Sequence, residues 1–139
     1  MKLSDHQANH ALNIALLIQF AYGRGMRLRR GNWLRSDEEQ ARLRAAGKSK
    51  VRRSLHQDGL ATDFALDKLI NGKWVYQRST AAYEPLGDFW ESLSPLNVWG
   101  GRFPLYFGGS FYDGNHFETR IAGRPKPQVT ARPLVLPVD

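Results

Sequence analysis

His56 and Asp63 lie seven residues apart in the apolar run SLHQDGLATDF, residues 54–64, and a second histidine, His116, follows in YDGNHFE, residues 112–118. Two imidazoles and a carboxylate suit zinc, which takes nitrogen and oxygen ligands in a tetrahedron. A catalytic site keeps three protein ligands and leaves the fourth position for water. Gly59 and Ala61 would let the backbone turn and pack close to a crowded centre. On residue types alone other readings stand beside this one. A histidine in a basic protein is commonly a surface group or a satisfied core residue. His6 and His10 form a second candidate pair at i, i+4, on a helix that reads as solvent-facing there. Asp113, three residues before His116, could take a proton from a water attacking a carbonyl and pass it to the leaving amine. Asp113-Gly114 is equally an ordinary turn signal.

Several elements must position these groups. Residues 4–22 read as a helix, with Ser4 as the cap, Gln7 completing a capping box, and Ala11, Ile14, Leu17 and Phe20 or Ala21 at helical spacing. Gly23 and Gly25 end it. Met26 to Trp33 is short, with a turn at Gly31-Asn32. Ser36 caps a second helix with acids in its first turn, running to Ala46 and stopping at Gly47. Lys48 to Arg53 is a basic loop. Val51 to Leu69 reads as mostly extended, with His56 at the end of one segment and 60–66 as a strand. Asn71-Gly72 is a strong hairpin signal, and Trp74 to Tyr76 continues beyond it. A third helix over Tyr83 to Leu93 puts Leu86, Phe89, Trp90 and Leu93 on one face. Trp99-Gly100-Gly101 is a tight corner, and Tyr112 to Glu118 is a last segment carrying His116. Prolines 125, 127, 133 and 137 mark a tail over 124–139. The expected fold class is therefore α+β: a small antiparallel sheet with helices packed around it, one catalytic domain over 1–123 and a Pro-rich tail.

The chain has 139 residues, a single-domain length, and no cysteine. Disulfides, thiolate metal sites and thiol catalysis are excluded, so any metal rests on His, Asp or Glu. The net charge is +7 and the pI about 10.1. Such a surface suits nucleic acid, anionic lipid or an anionic wall polymer, or simply solubility, and charge alone does not choose. The first residues are too polar for a signal peptide, and the apolar run 11–21 is too short to span a bilayer.

The string S-x-H-x-x-G-x-A-x-D over 54–63, followed by Trp99-Gly100-Gly101 and by Asp113-x-x-His116-Phe117-Glu118, closely resembles the zinc peptidases of the D-Ala-D-Ala carboxypeptidase and phage endolysin family. These belong to a wider group with the lysostaphin-type enzymes and the hedgehog signalling domain. The resemblance runs from about Leu17 to Glu118 and includes Arg35-Ser36-x-x-Glu39-Gln40. It implies one zinc ion held by His56, Asp63 and His116, and Asp113 as catalytic acid/base. Arg35 matches the arginine that steadies the substrate carbonyl and its developing oxyanion. Ser54 matches a position lining the site. Glu118 is placed to orient a ligand histidine from behind, and Trp99 to shape the groove wall or the core. The segment Pro104 to Phe111 is longer than in many relatives and reads as a flap over the cleft or a surface loop.

The family cleaves short peptides of bacterial peptidoglycan. A small chain with no signal peptide, no anchor and no separate wall-binding domain resembles the single-domain endolysins of phages or prophages. The expectation is an L-alanyl-D-glutamate endopeptidase, a monomer with peptidoglycan as its partner. It is made in the host cytoplasm and acts in the periplasm once the inner membrane is permeabilised. D,D-carboxypeptidase or D,D-endopeptidase activity is the enzymatic alternative. A basic nucleic-acid-binding or assembly protein with a silent metal site is the other, although no nucleic-acid module is recognisable and no nucleic acid is expected.

Overall fold

The computed structural model describes residues 1–31, 33–48 and 54–121. The turn residue Asn32, most of the basic loop and the whole Pro-rich tail lie outside the described residues.

Helix α1 spans Leu3–Tyr22. It is capped by Lys2, whose backbone N–H donates to the Asp5 carboxylate at 2.8 Å, and not by Ser4. Its buried stripe is His6, His10, Ile14, Leu17 and Ala21. The periodicity is the expected one, but it extends through two histidines, and Ala11 faces solvent. The expectation that the helix is solvent-facing at those histidines is overturned. Burial there is tolerated because the polar atoms of His10 find partners, as described below.

Strand β1, Met26–Arg30, leads to helix α2, Asp37–Ala45, where the Ser36 hydroxyl accepts from the Glu39 N–H at 3.0 Å. Gly47 follows with φ +73°, the left-handed geometry that ends a helix. Strand β2, Ala61–Ile70, turns at Asn71-Gly72 into β3, Lys73–Gln77. Both turn residues have positive φ, 51° and 76°, as the tight hairpin requires. Helix α3, Glu84–Leu93, follows a single 3₁₀ turn at Thr80–Tyr83. Then come β4, Asn97–Trp99, the short helix α4, Phe103–Phe107, and β5, His116–Thr119.

The five strands form one antiparallel sheet in which β2 is the hub. Its C-terminal half pairs with β1 on one side and β3 on the other, and its first three residues pair with β5, which pairs in turn with β4. Where β2 passes from β5 to β3, the Tyr83 hydroxyl donates to Phe64 O and accepts from Leu66 N, filling the gap in the ladder. The expected class, α+β with a small antiparallel sheet, is what the chain adopts.

The core lies between the sheet and helices α1 and α3, around Leu17, Phe64, Leu66, Leu86, Trp90, Trp99 and Phe117, each at most 1% exposed. Trp90 donates its indole N–H to the carbonyls of Val98 and Glu118, so one side chain ties α3 to both β4 and β5. The Trp99-Gly100-Gly101 corner has a steric cause. Gly87 and Gly101 press on the Trp99 indole so closely that a Cβ on either would collide with it.

Candidate metal centre

The register of β2 on β5 places Asp63 directly opposite His116. His56 reaches the same point from a succession of tight turns over 55–59, not from an extended segment as its sequence suggests. Those turns are held by the Leu60 N–H on Leu55 O at 2.9 Å and the His56 N–H on the Ser54 hydroxyl at 3.1 Å. Gly59 closes them with φ +67°, which is why a glycine stands between the two candidate ligands. The Gln7 amide donates to Asp58 O at 2.8 Å and pins the turns to α1.

One ligand atom each from His56, Asp63 and His116 lies within 4.8 Å of the others. His116 Nδ1 is 2.9 Å from Asp63 Oδ1, and His56 Nε2 is 3.4 Å from Asp63 Oδ2. A tetrahedral ion with bonds of about 2.1 Å needs ligand atoms about 3.4 Å apart, so modest movement accommodates one. The far nitrogen of each ring is turned to a second group: His56 Nδ1 to Trp33 O at 3.4 Å, and His116 Nε2 to Glu118 Oε1 at 2.9 Å. Metal-binding imidazoles are characteristically oriented by such partners. Glu118 is itself steadied by Arg120 at 2.6 Å. The donor set and its backing thus fit a divalent ion.

Electrostatics match this geometry. Burial disfavours a charge on Asp63, but the hydrogen bonds from His116 and His56, and their charges, outweigh it and hold the carboxyl well below its usual range. Burial likewise disfavours a charged His116. The hydrogen bonds to Asp63 and Glu118 win, and the imidazolium persists well above its ordinary pH. A metal entering here must displace the proton from Nδ1. Metal affinity should therefore fall as the pH is lowered, with proton release on binding near neutrality. Calorimetry in two buffers of different ionisation enthalpy measures that release; affinity independent of pH would contradict it.

Asp113 stands beside the cluster, its Oδ2 3.9 Å from His116 Nδ1 and its side chain 34% exposed. Burial pushes its carboxyl above the ordinary range, with the charges of Asp63 and Glu118 adding to the effect against those of the histidines. Its backbone is fixed by the Asp113 N–H on Gly100 O at 3.0 Å and the His116 N–H on Asp113 O at 3.1 Å. The indole N–H of the fully buried Trp99 donates to Gly114 O at 2.7 Å in the same turn. Gly100 has no space for a side chain, since its Cβ would strike the Asp113 carbonyl. Gly100→Ala should destabilise the fold by about 1–3 kcal/mol and lower any activity that depends on Asp113. Urea unfolding of the variant tests this; unchanged stability would show that the turn is not so tightly packed.

Arg35 is tied to the site through its backbone, its N–H donating to His56 O at 3.1 Å. Its guanidinium donates to the Gln40 side chain at 2.6 Å, and Gln40 is almost fully buried. In the sequence Gln40 stands only as part of the Arg35-Ser36-x-x-Glu39-Gln40 string, and its pairing with Arg35 comes from the fold. His10 is excluded as a ligand. The Thr119 hydroxyl donates to Asn97, so it accepts from His10 Nδ1, and His10 Nε2 accepts from Thr62. Burial, reinforced by the nearby His116 and His56, lowers the His10 pKa to about 4 and keeps the ring neutral.

The chain has the fold of a solved L-Ala D-Glu endopeptidase. That structure is ChiX of Serratia marcescens, matched with a TM-score of 0.61 and 22% identity over 81% of this chain and 78% of that one. No family model and no curated protein matches the chain. Among the described residues, no helix is long and apolar enough to cross a membrane.

Proposed function

We propose that the protein is a zinc-dependent peptidoglycan peptidase that hydrolyses the L-alanyl-D-glutamate bond of the stem peptide, as a phage or prophage endolysin does. The observation that carries this reading is the convergence of His56, Asp63 and His116 with Asp113 alongside. The shared fold of a solved L-Ala D-Glu endopeptidase supports the choice of bond. The net charge of +7 suits an anionic wall.

Bound by those three residues, zinc would act as a Lewis acid that acidifies water and polarises a carbonyl. Asp113 removes a proton from the attacking water and returns it to the leaving amine. A raised pKa suits this double task, because the group must both accept and donate near working pH. Arg35, held by Gln40, offers positive charge to the oxyanion as it forms. Ser54 keeps the His56 turn in shape through its hydroxyl, and Glu118 holds the His116 ring from behind. Trp99 acts from the core, through the turn that presents Asp113.

The test is incubation of zinc-loaded protein with purified Gram-negative peptidoglycan, with a chelated sample beside it, and mass spectrometry of the products. New D-Glu amino termini, lost on chelation, are expected. Released D-Ala would instead assign the carboxypeptidase reaction. An intact wall in the presence of one bound zinc would overturn the peptidase reading.

A further inference from the structure

The hairpin of β2 and β3 runs away from the metal centre. Ile70 is seven residues beyond Asp63 on β2, about 23 Å along the strand. The end of the hairpin is apolar on both faces. Residues opposite one another across a strand pair, or two apart along a strand, share a face. Leu69, Trp74 and Tyr76 therefore lie on one face, and Ile70 and Val75 on the other. All five are between 39% and 49% exposed. An ordinary antiparallel sheet has one face on the core and a polar face to water. Here the core contact ends further back along β2, at Phe64 and Leu66, and neither face beyond it is polar. A contiguous exposed apolar group of this kind marks a contact surface.

Cations surround these side chains. Arg27 lies over the Trp74 ring at 4.6 Å, and Arg29 and Arg78 lie over Tyr76 at 5.4 Å and 5.8 Å. Lys68 stands opposite Val75, and Lys73 opposite Ile70. Against these five, Asp67 is the single carboxylate between Phe64 and Arg78, and it is held by Arg27 and Arg29. The combination selects the occupant. A second copy of the chain, pairing along the open edge of β3, would bring the same cations against one another. A glycan, a nucleic acid or another protein laid on one face would leave the apolar residues of the other in water. An anionic lipid surface meets every feature at once. Its hydrocarbon receives apolar side chains on all sides of the hairpin. Trp and Tyr favour the headgroup level, and Lys and Arg meet the phosphates.

We propose that the β2–β3 hairpin is a membrane-surface anchor, which sets Leu69, Ile70, Trp74 and Val75 among lipids with anionic headgroups and leaves the metal centre at the far end of β2. The anchor stands independently of the peptidase reading. Its test is flotation of the full chain with vesicles of phosphatidylglycerol and phosphatidylcholine in equal parts, and with vesicles of phosphatidylcholine alone. Binding to the anionic vesicles should be about tenfold tighter or more. Trp74 is the most exposed of the four tryptophans, so brominated lipid should quench its emission. Trp74→Ser/Val75→Ser should weaken binding to the anionic vesicles about tenfold or more. Lys68→Gln/Lys73→Gln should narrow the difference between the two lipids without altering the apolar residues. No binding, equal binding to both vesicle types, or binding that survives in Trp74→Ser/Val75→Ser would overturn the anchor. A dimer seen by sedimentation of the unaltered chain and lost in that variant would also overturn it, in favour of a second copy. Peptidoglycan cleavage, measured on the same proteins without lipid, should be alike in all of them, so the anchor and the peptidase reading fail separately.

Discussion

The Asp113→Asn protein should fold, bind its metal and hydrolyse stem peptide about 100- to 10,000-fold more slowly than the unaltered chain, the usual contribution of a positioned acid/base. The fold should survive because the 113–116 turn rests on backbone groups: Asp113 N on Gly100 O, His116 N on Asp113 O, and Trp99 on Gly114 O. Metal binding should survive because Asp113 stands 3.9 Å from His116 Nδ1 and is not among the three converging ligands. What asparagine cannot do is accept the proton. The pH profile carries the same information. Burial and the neighbouring carboxylates raise the Asp113 pKa, and a base works only when ionised. Activity of the unaltered protein should therefore be lost as pH falls through a point above the ordinary carboxylate range, and the residual activity of Asp113→Asn should lack that limb. Steady-state rates across pH, with metal content measured on the same samples, decide the matter. Near-full activity in the variant would remove Asp113 from its role.

His116→Ala should abolish both metal binding and hydrolysis and also weaken the fold. The ring stands between carboxylates: Asp63 at 2.9 Å on one nitrogen, Glu118 at 2.9 Å on the other, and Asp113 nearby. Without it these anions face one another, with Arg120 beside Glu118 and His56 beside Asp63. Breaking a buried ion pair on one side costs about 3–5 kcal/mol, since the surviving charge is left uncompensated. The sign with pH follows from Asp63, whose carboxyl is held low in the native chain. Its contribution is present above the ordinary carboxylate pKa and is lost as pH falls through the lowered native value. In His116→Ala much of that support is gone, so the stability gap between variant and parent should narrow as the medium is acidified through the carboxylate range. The raised His116 pKa of the parent acts with the opposite sign, so the gap should narrow also as the pH rises toward about 10. Urea unfolding at several pH values, with chelator present, isolates this from metal loss. A variant as stable as the parent at neutral pH would mean that the carboxylates are better solvated than the packing indicates.

Local signals were legible where local physics decides. Ser36 with its acidic first turn and Gly47 at the far end marked α2, and Asn71-Gly72 marked the hairpin. Both depend on backbone conformation and hydrogen bonds within a few residues. The pattern of Leu86, Phe89, Trp90 and Leu93 marked α3 for the same reason. Three readings went astray, one through contacts distant in sequence and two through local turn and cap geometry. His6 and His10 looked exposed because they are polar, yet His10 is buried against Thr62 and Thr119, contributed by β2 and β5. The region before β2 looked extended, but it turns over 55–59 around Ser54 and Gly59. Ser4 looked like the cap of α1, but the helix starts one residue earlier, with Asp5 accepting from the Lys2 N–H.

The sequence by itself determined the class of fold, the two short-range helix and hairpin boundaries, and which residue types could hold a metal. Only the tertiary structure decided which atoms meet. It turned His116 Nδ1 and His56 Nε2 toward Asp63 by giving their other nitrogens to Glu118 and Trp33. It fastened Arg35 to Gln40, and brought three phenylalanines together beside the site. The physical reason is that spacing along a chain encodes periodicity and turn geometry, whereas a buried polar group takes its partner from whichever element packs against it.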